Sequence, residues 1–313
     1  MSTQQKITVL GANGVVGKTL IAELLNSNFT NITAVARSYK NTSQDGVFYQ
    51  KADLEDAQQT SQAVEGSDIA FVTVGLEYNS KIWTEKWPIV LNNIIQACLR
   101  HNTKLVFFDN VYGYGFVQGN ITEHVPQNPN SKKGKVRAHL NEMLVEAGKQ
   151  GLRYIIAKSG EFYGEGVKNS SIYNACIENI LLDKKAFWLG DLSKLRTYTN
   201  VTDCAKALVL LASDEANYNQ IWHLPTNKPL RGNEFVAILE EILGKKVQIS
   251  AMKKPTAMLL SIFIPPLREL LEMYYQFDND YVFDSSKFME KYPNFHITDY
   301  ETGFKNMIKS LQE

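Results

Sequence analysis

Seven residues near the amino terminus constrain this chain more than any others. Gly11-Ala12-Asn13-Gly14-Val15-Val16-Gly17 follows a short apolar run, Ile7–Leu10, and opens an amphipathic stretch over 18–25. Glycines at those three places answer three steric demands: Gly11 permits a tight turn, Gly14 lets an anion approach the backbone, and Gly17 lets a helix pack closely on the strand. The free N–H groups and positive dipole end of that helix then face whatever rests on the loop. A parallel strand–helix–strand unit with a pyrophosphate on the helix end is the expected product. No Gly-Lys-Ser/Thr ending follows, which disfavours a nucleotide-hydrolysing loop. Gly11, Asn13, Gly14, Val15, Val16 and Gly17 are thus the candidate cradle.

The pattern continues as alternating units. Runs at Ile7–Leu10, Ile32–Ala36, 69–74, 105–109 and 154–157 read as buried strands, and 18–25, 56–64, 84–101 and 133–149 have helical spacing of apolar residues. The fold class that follows is α/β, a doubly wound parallel sheet of Rossmann type with a smaller α-rich carboxyl-terminal lobe. Residues 1–163 with about 194–212 are assigned to the nucleotide-binding domain, and 164–193 with 213–313 to a substrate lobe. The ligand crevice is expected at the carboxyl ends of the strands, near Gly11, Ala36, Val74 and Asp109.

Charge and cysteines narrow the class. The 33 Lys plus Arg are matched by 33 Asp plus Glu, so no global basic footprint for nucleic acid exists. Basic residues do gather locally, at Arg37 and Lys40, at Lys132, Lys133, Lys135 and Arg137, and at Arg196, as expected for small phosphate-bearing ligands. Cys98, Cys176 and Cys204 form no C-x-x-C pair, and no spacing of His, Cys, Asp or Glu suggests a metal. The opening residues lack a basic, apolar and cleavage-site sequence, so a cytoplasmic protein is expected. No apolar run reaches the ~18 residues of a membrane span. The stretch 258–264, Met-Leu-Leu-Ser-Ile-Phe-Ile, is apolar enough to suggest a membrane-surface or lipid-substrate element as a minor reading, and Pro265-Pro266 should split 255–277 into two short helices.

Several further motifs stand in a telling order. Asp53-Leu54 follows the third strand, Val74-Gly75 the fourth, and Val111-Tyr112-Gly113 the fifth; Lys158-Ser-Gly-Glu-Phe-Tyr-Gly-Glu-Gly166 and Arg196-Thr-Tyr-Thr-Asn-Val-Thr-Asp203 come later. With the Gly-x-x-Gly-x-x-Gly loop they resemble the extended short-chain dehydrogenase/reductases, the NAD(P)-dependent epimerase/dehydratase family, over nearly the whole chain. The resemblance implies that Asp53 and Leu54 lie by the adenine, that Val74 and Gly75 lie beside the cofactor ribose, and that Glu161, Tyr163 and Arg196 face the substrate, Arg196 at a diphosphate. It also implies a polar, nucleotide-linked sugar as the small-molecule substrate, and a homodimer through the helices 84–101 and 133–149.

Two departures carry consequences. An NAD-preferring site has an acid at the end of the second strand, where this chain has Arg37-Ser38; NADP(H) is therefore the expected cofactor and NAD(H) the alternative. The family's Tyr-x-x-x-Lys is also missing after the fifth strand. Aligning Glu142 with the family's glutamate puts Gly134 and Ala138 in the dyad's places, and a register three residues earlier puts Ser131 and Lys135 there. Tyr112, Asp109 and Lys135 are the substitute catalytic candidates, while His124 and His139 read as surface residues. The primary expectation is an NAD(P)-dependent oxidoreductase or epimerase; the alternative is a catalytically degenerate NADP(H)-binding sensor or interaction protein.

Overall fold

A computed structural model describes residues 4–39 and 44–312. Seven strands form one parallel sheet: β1 (Ile7–Leu10), β2 (Ile32–Ala36), β3 (Val47–Lys51), β4 (Ile69–Val72), β5 (Lys104–Asn110), β6 (Tyr154–Ser159) and β7 (Gln220–His223). Their order across the sheet is β7-β6-β5-β4-β1-β2-β3, which reverses direction of growth beside β1. The inner strands are buried on both faces, so they read as continuous apolar runs and not as alternation.

Helices cover both faces. On one side α1 (Val15–Asn26) and α5 (Val201–Ser213) press Leu20, Ile21, Leu24 and Leu208 onto Val9, Ala34 and Phe71. On the other, α2 (Ala57–Val64), α3 (Ser80–His101) and α4 (Lys132–Lys149) bury Trp87, Leu91, Leu140 and Leu144 against Leu10, Val72 and Phe107. Capping fixes where these helices begin: the Asn79 side chain accepts from Lys81 and Ile82 N–H, and Ser131 Oγ accepts from Gly134 N–H.

The carboxyl-terminal lobe has its own core, in which Tyr163, Trp188, Tyr198, Phe235 and Phe304 pack together. Its strand Ile249–Met252 pairs in parallel with Ala186–Leu189. One domain boundary needs correction. Gln220–His223, assigned to the lobe by the sequence, pairs with β6 as the edge of the main sheet, and Phe288 of the helix Ser286–Lys291 is buried in the main core. Each piece is too short to show periodicity, so neither announced its partner. Val47–Lys51 is the third strand that precedes Asp53-Leu54; as the opposite edge it leaves Phe48 64% exposed, so its bounds are not marked by a buried apolar run.

Candidate active site

The glycine loop lies at the carboxyl end of β1. Gly11 has φ +93°, and a Cβ there would meet Val74 N at 2.7 Å; a Cβ at Gly17 would meet Gly11 O at 2.5 Å. Both glycines are demanded by protein packing. Gly14 is different: its φ is −69°, and a Cβ would come no closer than 3.4 Å to any protein atom. Gly75, at the end of the β4 segment, would have nothing within 4 Å. Their neighbours leave the absence of a side chain unexplained, and close approach of a ligand explains it. Gly14 is also the N-cap of α1 and supplies no side-chain acceptor, so the first-turn N–H groups have no side-chain cap. The loop therefore fits a dinucleotide.

The remaining cofactor candidates line the same edge with different degrees of freedom. Asn13 donates to the Ser38 carbonyl and ties the loop to the end of β2. Arg37 is exposed there and makes no ion pair among the described residues; Lys40 lies outside them. Asp53 is exposed and its carboxylate accepts from Glu55 N–H, while Leu54 is buried with its carbonyl held by Asn93. Val74 is half-buried, and Val16 belongs to the core with Val15 packed beside it.

Further along the sheet edge, the polar groups are paired with each other. Buried Asp109 accepts from Arg137 Nε at 2.6 Å, from Asn141 Nδ2 at 2.8 Å and from Lys158 Nζ at 2.6 Å. Burial alone would raise its carboxyl, but Arg137 and Lys158 override that and hold it down at about 2. Asp109 is a fixed anion between two cations, which removes it as a proton carrier near neutrality. Arg137 also lies over Trp87 and Phe107, at 4.6 and 5.0 Å from the ring centres. A second buried cation, Lys133, donates to Glu269 Oε2 at 2.6 Å, Glu272 Oε1 at 2.8 Å and Ser80 Oγ at 3.0 Å, over the Tyr78 ring.

Lys133 and Arg137 stand four apart, one helical turn, and both face inward from α4. Neither sequence register survives this geometry. A Cβ at Gly134 would already meet Tyr112 O at 2.6 Å, so no larger side chain fits there, and Ser131 is the helix cap. Lys135 is exposed on the outer face of α4 and does not reach the Asp109 cluster. The basic cluster expected at 132–137 is likewise half neutralised, because its two buried members have carboxylate partners.

Tyr112 is the candidate that retains a reactive atom. It follows β5, stacks on Trp83 at 6.2 Å and receives a hydrogen bond from the Tyr78 hydroxyl, with the oxygens 3.5 Å apart. Burial pushes its phenol up to about 12, with the Tyr78 hydrogen bond opposing the shift. Nearby, His223 Nδ1 donates to the Asp284 carbonyl, so Nε2 accepts from the Tyr114 hydroxyl, each at 2.7 Å. Burial lowers this imidazole to about 3, which keeps it neutral.

The substrate candidates divide. Tyr163 is a core residue, tilted against Phe304 at 4.5 Å, and presents no surface to a ligand. Glu161 Oε1 is occupied by Ser171 Oγ and Ile172 N–H at the start of a helical segment. Arg196 is buried between Trp188 and Phe277, donates to the carbonyls of Leu189 and Phe277, and leaves Nε without an acceptor. It borders a small cavity lined also by Ser171, Trp188 and Tyr198. Asn141, Lys158 and His223 are site residues that the sequence does not single out by role, and Lys133, expected beside a ligand phosphate, is instead paired with Glu269 and Glu272.

Residues 7–223 match the NAD dependent epimerase/dehydratase family. The chain belongs to that family. Among curated relatives, an uncharacterized UDP-glucose epimerase of Bacillus subtilis is 24% identical over 267 residues, 78% of this chain and 84% of the relative. The UDP-glucuronic acid 4-epimerase of Bacillus cereus, crystallised with NAD, has a TM-score of 0.80 at 16% identity over 98% of each chain. A dTDP-glucose 4,6-dehydratase double mutant from Streptomyces venezuelae gives 0.80 at 17% identity, over 98% of this chain and 97% of its own. At such identities the likeness of solved structures speaks for the fold. The family assignment gives the glycine loop its ligand class, an NAD(P) cofactor, and leaves the choice between NAD and NADP to the residues at the end of β2.

Proposed function

We propose that this epimerase/dehydratase family member uses NADP(H) to carry out redox chemistry at a carbon of a nucleotide-linked sugar. The observation that carries the substrate class is Arg196, a buried guanidinium that forms no ion pair with a carboxylate among the described residues. Leaving such a cation without a counter-ion is costly in a low-dielectric lobe, and a substrate diphosphate would supply one. The nucleotide-sugar names of the relatives agree with that reading.

Gly11, Gly14, the first turn of α1, Asn13, Val74 and Gly75 would hold the dinucleotide, and Arg37 with Ser38 would take a 2′-phosphate. The preference for NADP(H) rests on Arg37, since no acid stands at the end of β2 to accept from ribose hydroxyls. When bound, the nicotinamide supplies the hydride acceptor or donor. Tyr112 holds a proton at Oη throughout the neutral range and is suited to deliver it to a substrate oxygen. Asp109 fixes Arg137, Asn141 and Lys158 behind it. This arrangement favours reduction of a sugar carbonyl over proton abstraction as the first step.

The experiment is turnover with NADPH and NADH across UDP- and dTDP-linked sugars and their keto forms, followed by nicotinamide absorbance and product analysis. Reduction of a keto sugar, faster with NADPH, is the expected result. Tight cofactor binding with no turnover on any member would overturn it in favour of a cofactor-binding protein without chemistry.

A further inference from the structure

The segment after the lobe strand Ile249–Met252 is two short helices, Lys254–Leu260 and Pro265–Leu270, joined by a turn. Its inner side is accounted for: Ala257, Leu260, Leu267, Leu270 and Leu271 pack on Leu189, Met252, Tyr274 and Phe277. Its outer side is not. Met258, Leu259, Ile262, Phe263 and Ile264 are 53%, 64%, 63%, 79% and 45% exposed, five large apolar side chains within seven residues. Elsewhere among the described residues, exposed large apolar side chains occur singly, at Phe48, Ile89, Phe116, Val145 and Leu182. Single ones need no explanation, whereas a contiguous patch marks a contact surface.

Charge identifies the partner. Residues 242–268 contain five cations, Lys245, Lys246, Lys253, Lys254 and Arg268, and no Asp or Glu. Lys245 and Lys246 are paired with Asp183 and Glu240, whereas exposed Lys253, Lys254 and Arg268 form no ion pair among the described residues. Exposed cations thus stand at the start of the first helix and within the second, on either side of the apolar turn, with Asp191 near Lys253 and the Ser261 carbonyl accepting from Arg268. Apolar side chains at a tip with lysine and arginine behind them match the layered chemistry of an anionic bilayer, with acyl chains below and phosphate headgroups above. A second copy of the chain is a poorer fit, since five side chains are few against the roughly 20–30 residues per side of a stable dimer. Among the described residues no helix is long and apolar enough to cross a membrane, so the contact is superficial.

We propose that the 258–264 turn with Lys253, Lys254 and Arg268 docks this protein on anionic membrane surfaces. The docking is independent of the proposed sugar chemistry. It would nevertheless set the orientation of the site, because Glu269 and Glu272, just beyond the turn, hold Ser80 and Lys133.

Co-sedimentation of the full chain with phosphatidylcholine vesicles, with and without phosphatidylserine, tests the proposal without any activity readout. Binding to phosphatidylserine-containing vesicles that weakens with added salt is expected. Ile262→Ser with Phe263→Ser should abolish pelleting, and Lys253→Gln with Lys254→Gln should lower partitioning roughly 25-fold, about fivefold per cation. These side chains are exposed, so unchanged circular dichroism and melting temperature should accompany both variants. Three results would overturn the proposal: no pelleting of the parent chain, equal pelleting of the Ile262/Phe263 variant, or a dimer in light scattering that this variant abolishes while vesicles recruit neither protein.

Discussion

At the glycine loop the start of α1 lacks a side-chain cap, a Cβ at Gly14 or Gly75 would come no closer than 3.4 Å to protein, and Arg37 is exposed with no ion pair among the described residues. At β5 and α4, along the same sheet edge, Arg137, Asn141 and Lys158 all donate to Asp109, with Asn141 Oδ1 left without a donor, and Lys133 is enclosed by Glu269, Glu272 and Ser80. The first region is incomplete without a ligand. The second has its charges paired within the protein. The fold thus sets an open glycine loop beside a buried ionic scaffold, with Tyr112 as the candidate proton carrier.

The sharpest way to break that contrast is to remove the scaffold's anion. Asp109→Ala leaves Arg137 and Lys158 buried without a partner and should cost about 3–5 kcal/mol in urea unfolding. A loss below about 1 kcal/mol, within what exposed pairs give, would show that the cluster is not held by charge. The pH dependence has a definite sign. The native carboxyl lies at about 2, below its ordinary 3.8, so its stabilisation is full above 3.8 and is lost as pH falls toward 2. Asp109→Asn should remove that part of the acid limb.

Tyr112→Phe tests the group that is left. It should reduce kcat by roughly 10²–10⁴-fold with the melting temperature unchanged, as expected for loss of a proton donor. Because the phenol titrates only at about 12, activity should show no alkaline loss from this group between neutrality and pH values well below that. An unchanged kcat would remove Tyr112 from the chemistry.

At the open end, two glycines should respond in opposite ways. Gly14→Ala should weaken cofactor binding by about tenfold or more while unfolding free energy stays within about 0.5 kcal/mol. Gly17→Ala should destabilise the fold, since its Cβ would press on Gly11 O at 2.5 Å. The smallest expected effect is a change of preference: Arg37→Glu should shift the NADPH-to-NADH affinity ratio about tenfold toward NADH in a fluorescence titration. An unmoved ratio would assign 2′-phosphate selection elsewhere or to neither cofactor.

The glycine-loop turn and its close packing are legible in the sequence because their requirements are local. A turn, a close approach and a helix start are met by Gly11, Gly14 and Gly17 within seven residues. The inner strands were legible because burial on both faces makes them continuously apolar. The chemical end depends on pairs far apart in the chain, Asp109 with Arg137, Lys158 with Asp109, Lys133 with Glu269 and Glu272, and no local pattern says which cation meets which acid. The same limit explains Gln220–His223, a four-residue strand whose identity comes from its neighbour β6. Tyr163 and Glu161 lie in a motif that looks substrate-facing, yet packing against Phe304 and a helix start at Ser171 claim them.

The enclosure of Lys133 couples distant parts of the chain. An uncharged residue at that position would strand Glu269 and Glu272 without their buried cation, and a lysine at 137 would forfeit the planar stacking of Arg137 on Trp87 and Phe107. Lys133 is a rivet between α4 and the helix that carries Glu269, so that neither can shift without the other.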